Sequence, residues 1–236
     1  KRGKDLFVNV PFCTTRGSYC SFISAGIGRV KKFIPGYVEL LVKEIEDARR
    51  LIAEYGYLLR AVYVGGGTPT SLEDKDFLRV MKALGGVDVE FTVEAGRPDT
   101  ITYDTLKIMD DMGVTRISVN PQSLNDTTIA LIGRGQTAAD FYSAYDLARK
   151  FAVAVNCDLI AGLPGEEAED FARTADGIFA LRPENVTVHT LALKKGSGLK
   201  LAGYDNRASD VGAMVDYARS LAGGNGYLPY YMYRQK

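Results

Sequence analysis

The chain has 236 residues, with 29 Lys+Arg against 29 Asp+Glu and a single His, so its formal net charge is zero. Hydrophobic residues make up 46% and charged residues 25%, the balance of an ordinary globular protein. Zero net charge argues against a nucleic-acid partner held by bulk electrostatics, no run of about 18 apolar residues offers a membrane span, and three Cys are too few for a disulfide framework and suit a reducing cytoplasm.

The opening Lys1-Arg2-Gly3-Lys4-Asp5 has no apolar stretch and so is no secretory signal, and without an initial Met it reads as a fragment or a processed form. Short β-branched runs predict strands at 6–10, 61–64, 90–93, 116–120, 156–160 and 185–191. Segments of helical period alternate with them at 37–51, 72–84, 102–112, 138–151, 166–180 and 211–221. In the first of these Val38, Leu41, Val42, Ile45, Ala48 and Leu51 share one face and charged residues fill the other. Ser71, with Asp74 three residues on, predicts the start of the second helix. Six strand–helix units imply parallel strands joined by right-handed crossovers. An open doubly wound sheet and a (β/α) barrel both fit. An eight-unit barrel takes about 250 residues, so six units in 236 suit an α/β partial (β/α)6 barrel of TIM-like type with a long first loop. No repeat, low-complexity tract or linker divides the chain. The glycine-rich 223–226 reads as a loop, and the tyrosine-rich tail at 227–233 is expected to pack against something.

In parallel α/β folds ligands bind at the carboxyl ends of strands. The first strand is followed by Cys13 and Cys20, seven apart. Two free thiols are the plain reading, and zinc would need four ligands at short spacing. After the second strand come Gly65, Gly66, Gly67 and Thr68, which let a backbone approach a ligand closely or simply make a tight turn. They match neither a P-loop nor a dinucleotide fingerprint. Glu94 and Gly96-Arg97-Pro98 follow the third strand, Asn120-Pro121-Gln122-Ser123 the fourth, and the fifth carries Asp158 before Gly162-Leu163-Pro164-Gly165. Each alone suits packing, but polar groups at successive strand ends do not. His189, the only His, is assigned a structural or substrate-contact role rather than acid–base catalysis, and no catalytic side chain is named.

Seven segments, VNVPFCTTRGSYCSF, YVGGGTPT, FTVEAGRPDTI, RISVNPQSLND, NCDLIAGLPGE, VHTLALKKGS and PYYMYRQK, make the chain resemble the radical S-adenosylmethionine (radical SAM) enzymes. Within them it is similar to the oxygen-independent coproporphyrinogen III oxidase (coproporphyrinogen dehydrogenase) group. The resemblance implies a partial (β/α)6 barrel of the radical SAM type, one core domain over 1–236 without N-terminal and C-terminal extensions, and a cytoplasmic enzyme of porphyrin and haem biosynthesis. It implies a [4Fe-4S] cluster held by three Cys of a CxxxCxxC pattern, S-adenosylmethionine (SAM) on the open iron, and a flavodoxin- or ferredoxin-like electron donor. A 5′-deoxyadenosyl radical would then convert coproporphyrinogen III propionates into the vinyl groups of protoporphyrinogen IX. The alternatives are a haem or tetrapyrrole carrier of the same family without radical turnover, or another radical SAM oxidoreductase.

Carried over by residue, Cys13 and Cys20 match the first and third cluster ligands. Gly66, Gly67 and Thr68 match the loop that holds the SAM amino group, and Glu94 a polar contact to SAM. Gln122 and Asp158 match contacts to the ribose hydroxyls, Arg134 the contact to the SAM carboxylate, and Tyr19, Ile160 and Ala192 positions around the adenine. Three residues depart from the pattern. Gly17 stands where the second cluster Cys is expected. Cys157 is no obvious substitute, because alternation turns it away from a lumen that Asp158 faces. The chain is thus an altered form of an active enzyme, a natural homologue with a labile or incomplete cluster, or a degenerate protein that binds SAM or a porphyrin. Phe7 replaces a common Tyr whose hydroxyl lies near SAM in the family, and Asn9 replaces a common His; these departures bear on the exact substrate more than on the cofactor.

Overall fold

The computed structural model describes residues 2–22, 24–204 and 210–231. Six strands form one sheet: β1 (Gly3–Val10), β2 (Leu58–Gly66), β3 (Glu90–Val93), β4 (Arg116–Ser118), β5 (Ala154–Ala161) and β6 (Asn185–Thr190). They lie side by side in that order and every neighbouring pair is parallel, from Leu6 opposite Val62 to Ile160 opposite His189. Between and after them run α1 (Ile34–Glu54), α2 (Asp74–Leu84), α3 (Tyr103–Asp111), α4 (Asp126–Leu131), α5 (Ala138–Ala148), α6 (Ala168–Ala180) and α7 (Val211–Gly224). Phe12–Cys13 and Ala25–Gly26 add a small parallel pair at the end of β1.

Strand order decides between the two architectures. A doubly wound sheet reverses direction at a switch point; here the order never reverses, so right-handed crossovers carry every helix to one face. Side chains agree. The main apolar core joins Val8, Val62, Val64, Phe91, Ile117, Val155 and Leu159 of the strands to Val38, Phe77, Met81, Leu106, Phe141, Phe171 and Ile178 of the helices. Each such side chain contributes about 1.5–3 kcal/mol by burial, so this face stabilises the fold. The alternate positions of the strands, Asp5, Phe7, Asn9, Tyr63, Thr92, Ser118, Asn156, Asp158, Thr187 and His189, face the other way. They line the concave side of an α/β partial (β/α)6 barrel, with β1 and β6 as the edge strands among the described residues.

The structure corrects four details of the sequence reading; one is that the glycine-rich 223–226 is not all loop, since Gly223 and Gly224 close α7. Ser71 does not start α2. It lies in a single 3-10 turn, Pro69–Ser71, and its hydroxyl donates to the Phe12 carbonyl at 3.2 Å; Glu73 takes the N-cap position with no side-chain cap. β4 stops at Ser118 rather than at 120, because Pro121 has no N–H and the Asn120 side chain takes over the Asp158 N–H at 3.1 Å. α4 was not predicted: at six residues it is too short to show a helical period. Cys157 lies where alternation put it, fully buried in the helix-facing core, and burial pushes its thiol well up from the usual range. Of the expected tail segment at 227–233, residues 232 and 233 lie outside the described residues. Tyr227 packs edge-on against Phe179 at 5.1 Å, and the Tyr230 hydroxyl accepts from Asn185 Nδ2 at 2.6 Å.

Candidate functional site

The long loop after β1 is pinned from three sides. Ser18 N–H donates to the Ile132 carbonyl at 2.8 Å, Leu199 N–H to Ser18 at 2.9 Å, and Ala25 N–H back to Pro11 at 2.9 Å. A turn closed by Cys20 N–H on the Gly17 carbonyl, 3.0 Å, brings positions 17 and 20 together. Cys13 and Cys20 are free, half-buried thiols, and Thr68 Oγ1 donates to Cys13 Sγ at 3.5 Å.

β2 runs into the glycine loop. Gly66 has φ +108°, and a Cβ there would sit 1.9 Å from Asn9 Oδ1; one on Gly67 would sit 2.5 Å from the Phe12 carbonyl oxygen. The Gly67 and Thr68 N–H groups donate to Val10 and Phe12, at 2.9 and 2.7 Å. The loop therefore docks against the extension of β1 through its donors. Its carbonyl oxygens are what it can offer a ligand.

β3, β4 and β5 supply an acidic floor. Glu94 accepts from the Tyr63 hydroxyl and the Gly66 N–H. Burial pushes its carboxyl up, the Tyr63 bond opposes this, and neighbouring Asp158 adds to the rise. Burial, then Glu94, pushes the Tyr63 hydroxyl up in turn. Asp158 accepts from Asn156 Nδ2 at 2.7 Å and Asn120 Nδ2 at 2.9 Å, and His189 Nε2 is 3.8 Å from Asp158 Oδ2. Gln122 has φ +66°, rare for a side chain of its size, and is held there by two ladder bonds of 3.0 Å: its N–H to the Asp158 carbonyl, and the Ile160 N–H to its own.

Arg134 follows α4 and is only 4% exposed. Its Nη1 donates to the Tyr19 hydroxyl at 2.7 Å, and its Nη2 to the Gly96 and Asn120 carbonyls at 2.8 and 2.9 Å. Its Nε is buried with no partner among the described residues. A buried guanidinium N–H is costly unless it meets an acceptor.

These elements enclose one cavity of about 280 Å³ at the carboxyl ends of the strands. Every position carried over from the resemblance lines it: Tyr19, Gly66, Gly67, Thr68, Glu94, Gln122, Arg134, Asp158, Ile160 and Ala192, with Cys13, Gly17 and Cys20. His189 lines it too, beside Asp158. Sequence reasoning passed over Tyr63 and gave Asn120 no role. Tyr63 was marked by alternation, since it points to the same side of the sheet as Glu94, whereas Asn120 lies past the end of β4 and was marked only by its place at a strand's carboxyl end.

The two implied groups fit this cavity differently. SAM fits it: a buried guanidinium has an N–H free of protein partners, and an acidic, amide-lined floor can accept from hydroxyls and an ammonium. A four-iron cluster does not fit in full. It needs three thiolates, and the cavity has two; Cys157 is buried on the far side of the sheet. Among the described residues no three Cys, His, Asp or Glu side chains gather as a metal site.

Comparison with known proteins bears on the same segments. Residues 10–178 match the Radical SAM superfamily. The chain is 37% identical over 250 aligned residues to the oxygen-independent coproporphyrinogen-III oxidase-like protein HemZ of Bacillus subtilis, covering 98% of this chain and 48% of that protein. It is 29% identical over 199 aligned residues to the heme chaperone HemW of Bacillus subtilis, covering 81% and 51%. Its fold is similar to that of coproporphyrinogen III oxidase (HemN) from Escherichia coli, with a TM-score of 0.80, 24% identity, and coverage of 97% of this chain and 54% of that one. The chain thus spans about half the length of the relatives it matches. The match over most of the chain, through the loops that build the cavity, means that the chain belongs to the radical SAM superfamily.

Proposed function

We propose that this chain is the SAM-binding core of a tetrapyrrole-directed protein of the oxygen-independent coproporphyrinogen III oxidase group, acting in the cytoplasm in haem biosynthesis. One observation carries the reading: every residue expected to touch SAM, scattered from position 19 to 192, lines a single cavity. In this reading Arg134 holds the SAM carboxylate through Nε, the carbonyls of the glycine loop face the ammonium, and Asp158 and Gln122 orient the ribose. Bound SAM supplies a 5′-deoxyadenosyl group next to the substrate. Tyr19 and Ile160 exclude water around the adenine. Two exposed cations at the mouth, Arg16 and Lys194, match a substrate that carries several propionates. Phe7, largely exposed and stacked on Tyr63 at 5.6 Å, offers an aromatic wall on the open lumen.

The reaction of the group is oxidative decarboxylation of coproporphyrinogen III. Each propionate gives up a β-hydrogen atom, CO₂ and one electron and becomes a vinyl group. A flavodoxin- or ferredoxin-like donor belongs to that version. A second reading, tetrapyrrole binding without turnover, is favoured by Gly17, which leaves the site one thiolate short.

Equilibrium dialysis with SAM tests the common core. Asp158→Asn is expected to weaken binding by about tenfold or more, the equivalent of one charge-assisted hydrogen bond, with little change in melting temperature. No SAM binding by the parent chain overturns the reading. Anaerobic incubation with SAM, reductant and coproporphyrinogen III then separates the two versions: vinyl product with 5′-deoxyadenosine supports the oxidase, and tetrapyrrole binding without either supports the carrier.

A further inference from the structure

Gly17 is buried at the cavity wall between the two thiols. The space a side chain would take there is occupied. A Cβ on Gly17 would lie 2.7 Å from Tyr19 Cε1, closer than carbon atoms pack, and 3.2 Å from Cδ1 and 3.3 Å from Cζ, tighter than most such contacts. The Tyr19 ring is in turn fixed at its far end, where its hydroxyl accepts from Arg134 Nη1 at 2.7 Å. Position 17 thus lacks more than a sulfur atom: the neighbouring aromatic ring lies across it and ties down the buried cation of the cavity.

We infer that this chain binds SAM in a cavity that does not retain a four-iron cluster, because Gly17 supplies no third thiolate and the Tyr19 ring, bonded to Arg134, lies where a side chain at position 17 would begin. The inference rests on the SAM reading above and decides between its two versions. Cys13 and Cys20 can ligate two of four irons, which leaves two without a protein ligand in a solvent-reached cavity. Such a cluster is lost on dilution or desalting. Gly17→Cys therefore changes two things at once. It adds the missing thiolate, and it drives the Tyr19 ring off Arg134, freeing Nη1 for a ligand.

The parent chain, Gly17→Cys and Gly17→Ser are each treated anaerobically with ferrous iron, sulfide and dithiothreitol, then desalted. Iron, acid-labile sulfide and visible absorption are read per chain, and SAM binding is measured separately by equilibrium dialysis. Gly17→Ser adds the Cβ without the thiolate. The parent and Gly17→Ser are expected to retain less than about one iron, and Gly17→Cys about four. Should Gly17→Cys fold poorly by circular dichroism, Gly17→Cys with Tyr19→Ala removes the ring that the new Cβ meets and is expected to retain the same iron. About four irons held stably by the parent overturn the inference and leave the SAM reading standing. Equal iron in the Ser and Cys variants overturns it as well. SAM binding by none of the proteins overturns the functional reading, and the iron counts, read separately, tell that failure from the other.

Discussion

Arg134 shows how much of this site depends on single side chains. Its guanidinium ties the loop after β3, the end of β4 and Tyr19 into one unit, through Gly96, Asn120 and the Tyr19 hydroxyl. Its own carbonyl accepts from Arg97 Nη2 and, at 3.3 Å, from Thr15 Oγ1. A Lys keeps the charge but not the planar fork, and cannot reach all three partners. Arg134→Lys is therefore expected to weaken SAM binding by about tenfold or more and to lower the melting temperature. An unchanged dissociation constant would refute the carboxylate role. Gly67 depends on space instead. A Cβ there meets only backbone atoms of Phe12, at 2.5 and 2.9 Å, which cannot rotate away. Gly67→Ala is expected to cost about 1–3 kcal/mol in a denaturant melt, as overpacking does. The glycine run was legible as a place of close approach. That the approach is to the β1 extension was not, because Phe12 lies some 55 positions earlier in the chain.

At the scale of elements, the strands and long helices were legible because each shows its own period, two in β5 and near 3.6 in α1. The six-residue α4 was not, although it sets where Arg134 stands. α4 ends in backbone bonds that fix the next turn, Gly133 N–H to Ala130 at 3.0 Å and Arg134 N–H to Ile129 at 3.2 Å. Its first turn contains Thr127 and Thr128, weak helix formers, and depends on a cap: Asn125 Oδ1 accepts from their N–H groups at 3.0 and 3.4 Å. The one local signal was Asn125-Asp126, a cap residue and an acid at a helix start. Asn125→Ala is expected to cost about 1 kcal/mol of stability, and Asn125→Asp to restore it. Because α4 leads directly into Arg134, the Ala variant is also expected to bind SAM less tightly. A stability loss with unchanged SAM affinity would show that Arg134 is positioned by its own bonds alone.

For the whole molecule, zero net charge conceals an uneven placement of carboxyls, and stability against pH should reveal it. Glu166, after the Gly162-Leu163-Pro164-Gly165 turn, is only 5% exposed. Its Oε1 accepts from the Ser123 hydroxyl and its Oε2 is buried without a partner among the described residues. Burial pushes its carboxyl up from the usual 4.5, against the pull of the Ser123 and Thr128 hydroxyls. Glu184 goes the other way. Burial pushes it up too, but the Val155 N–H at 2.8 Å and the Arg149 guanidinium outweigh that and hold it low. The signs are opposite. Glu184 stabilises the fold above the ordinary carboxylate range, and that contribution is lost as pH falls through its lowered folded value. Glu166 is neutral in both states at low pH. As pH rises past 4.5 the unfolded chain releases this proton while the folded one keeps it, so stability falls until the raised folded value is passed. Glu166→Gln keeps the neutral shape and cannot ionise. Its melting temperature relative to the parent chain, without ligand, is expected to be flat and at its lowest below pH 4.5, then to climb to a higher plateau once the raised folded value is passed. Glu184→Gln is expected to show the reverse, most destabilised above the carboxylate range and converging on the parent in acid. A flat difference for Glu166→Gln across this range would mean that Glu166 ionises alike in folded and unfolded chains, against its burial beside Ser123.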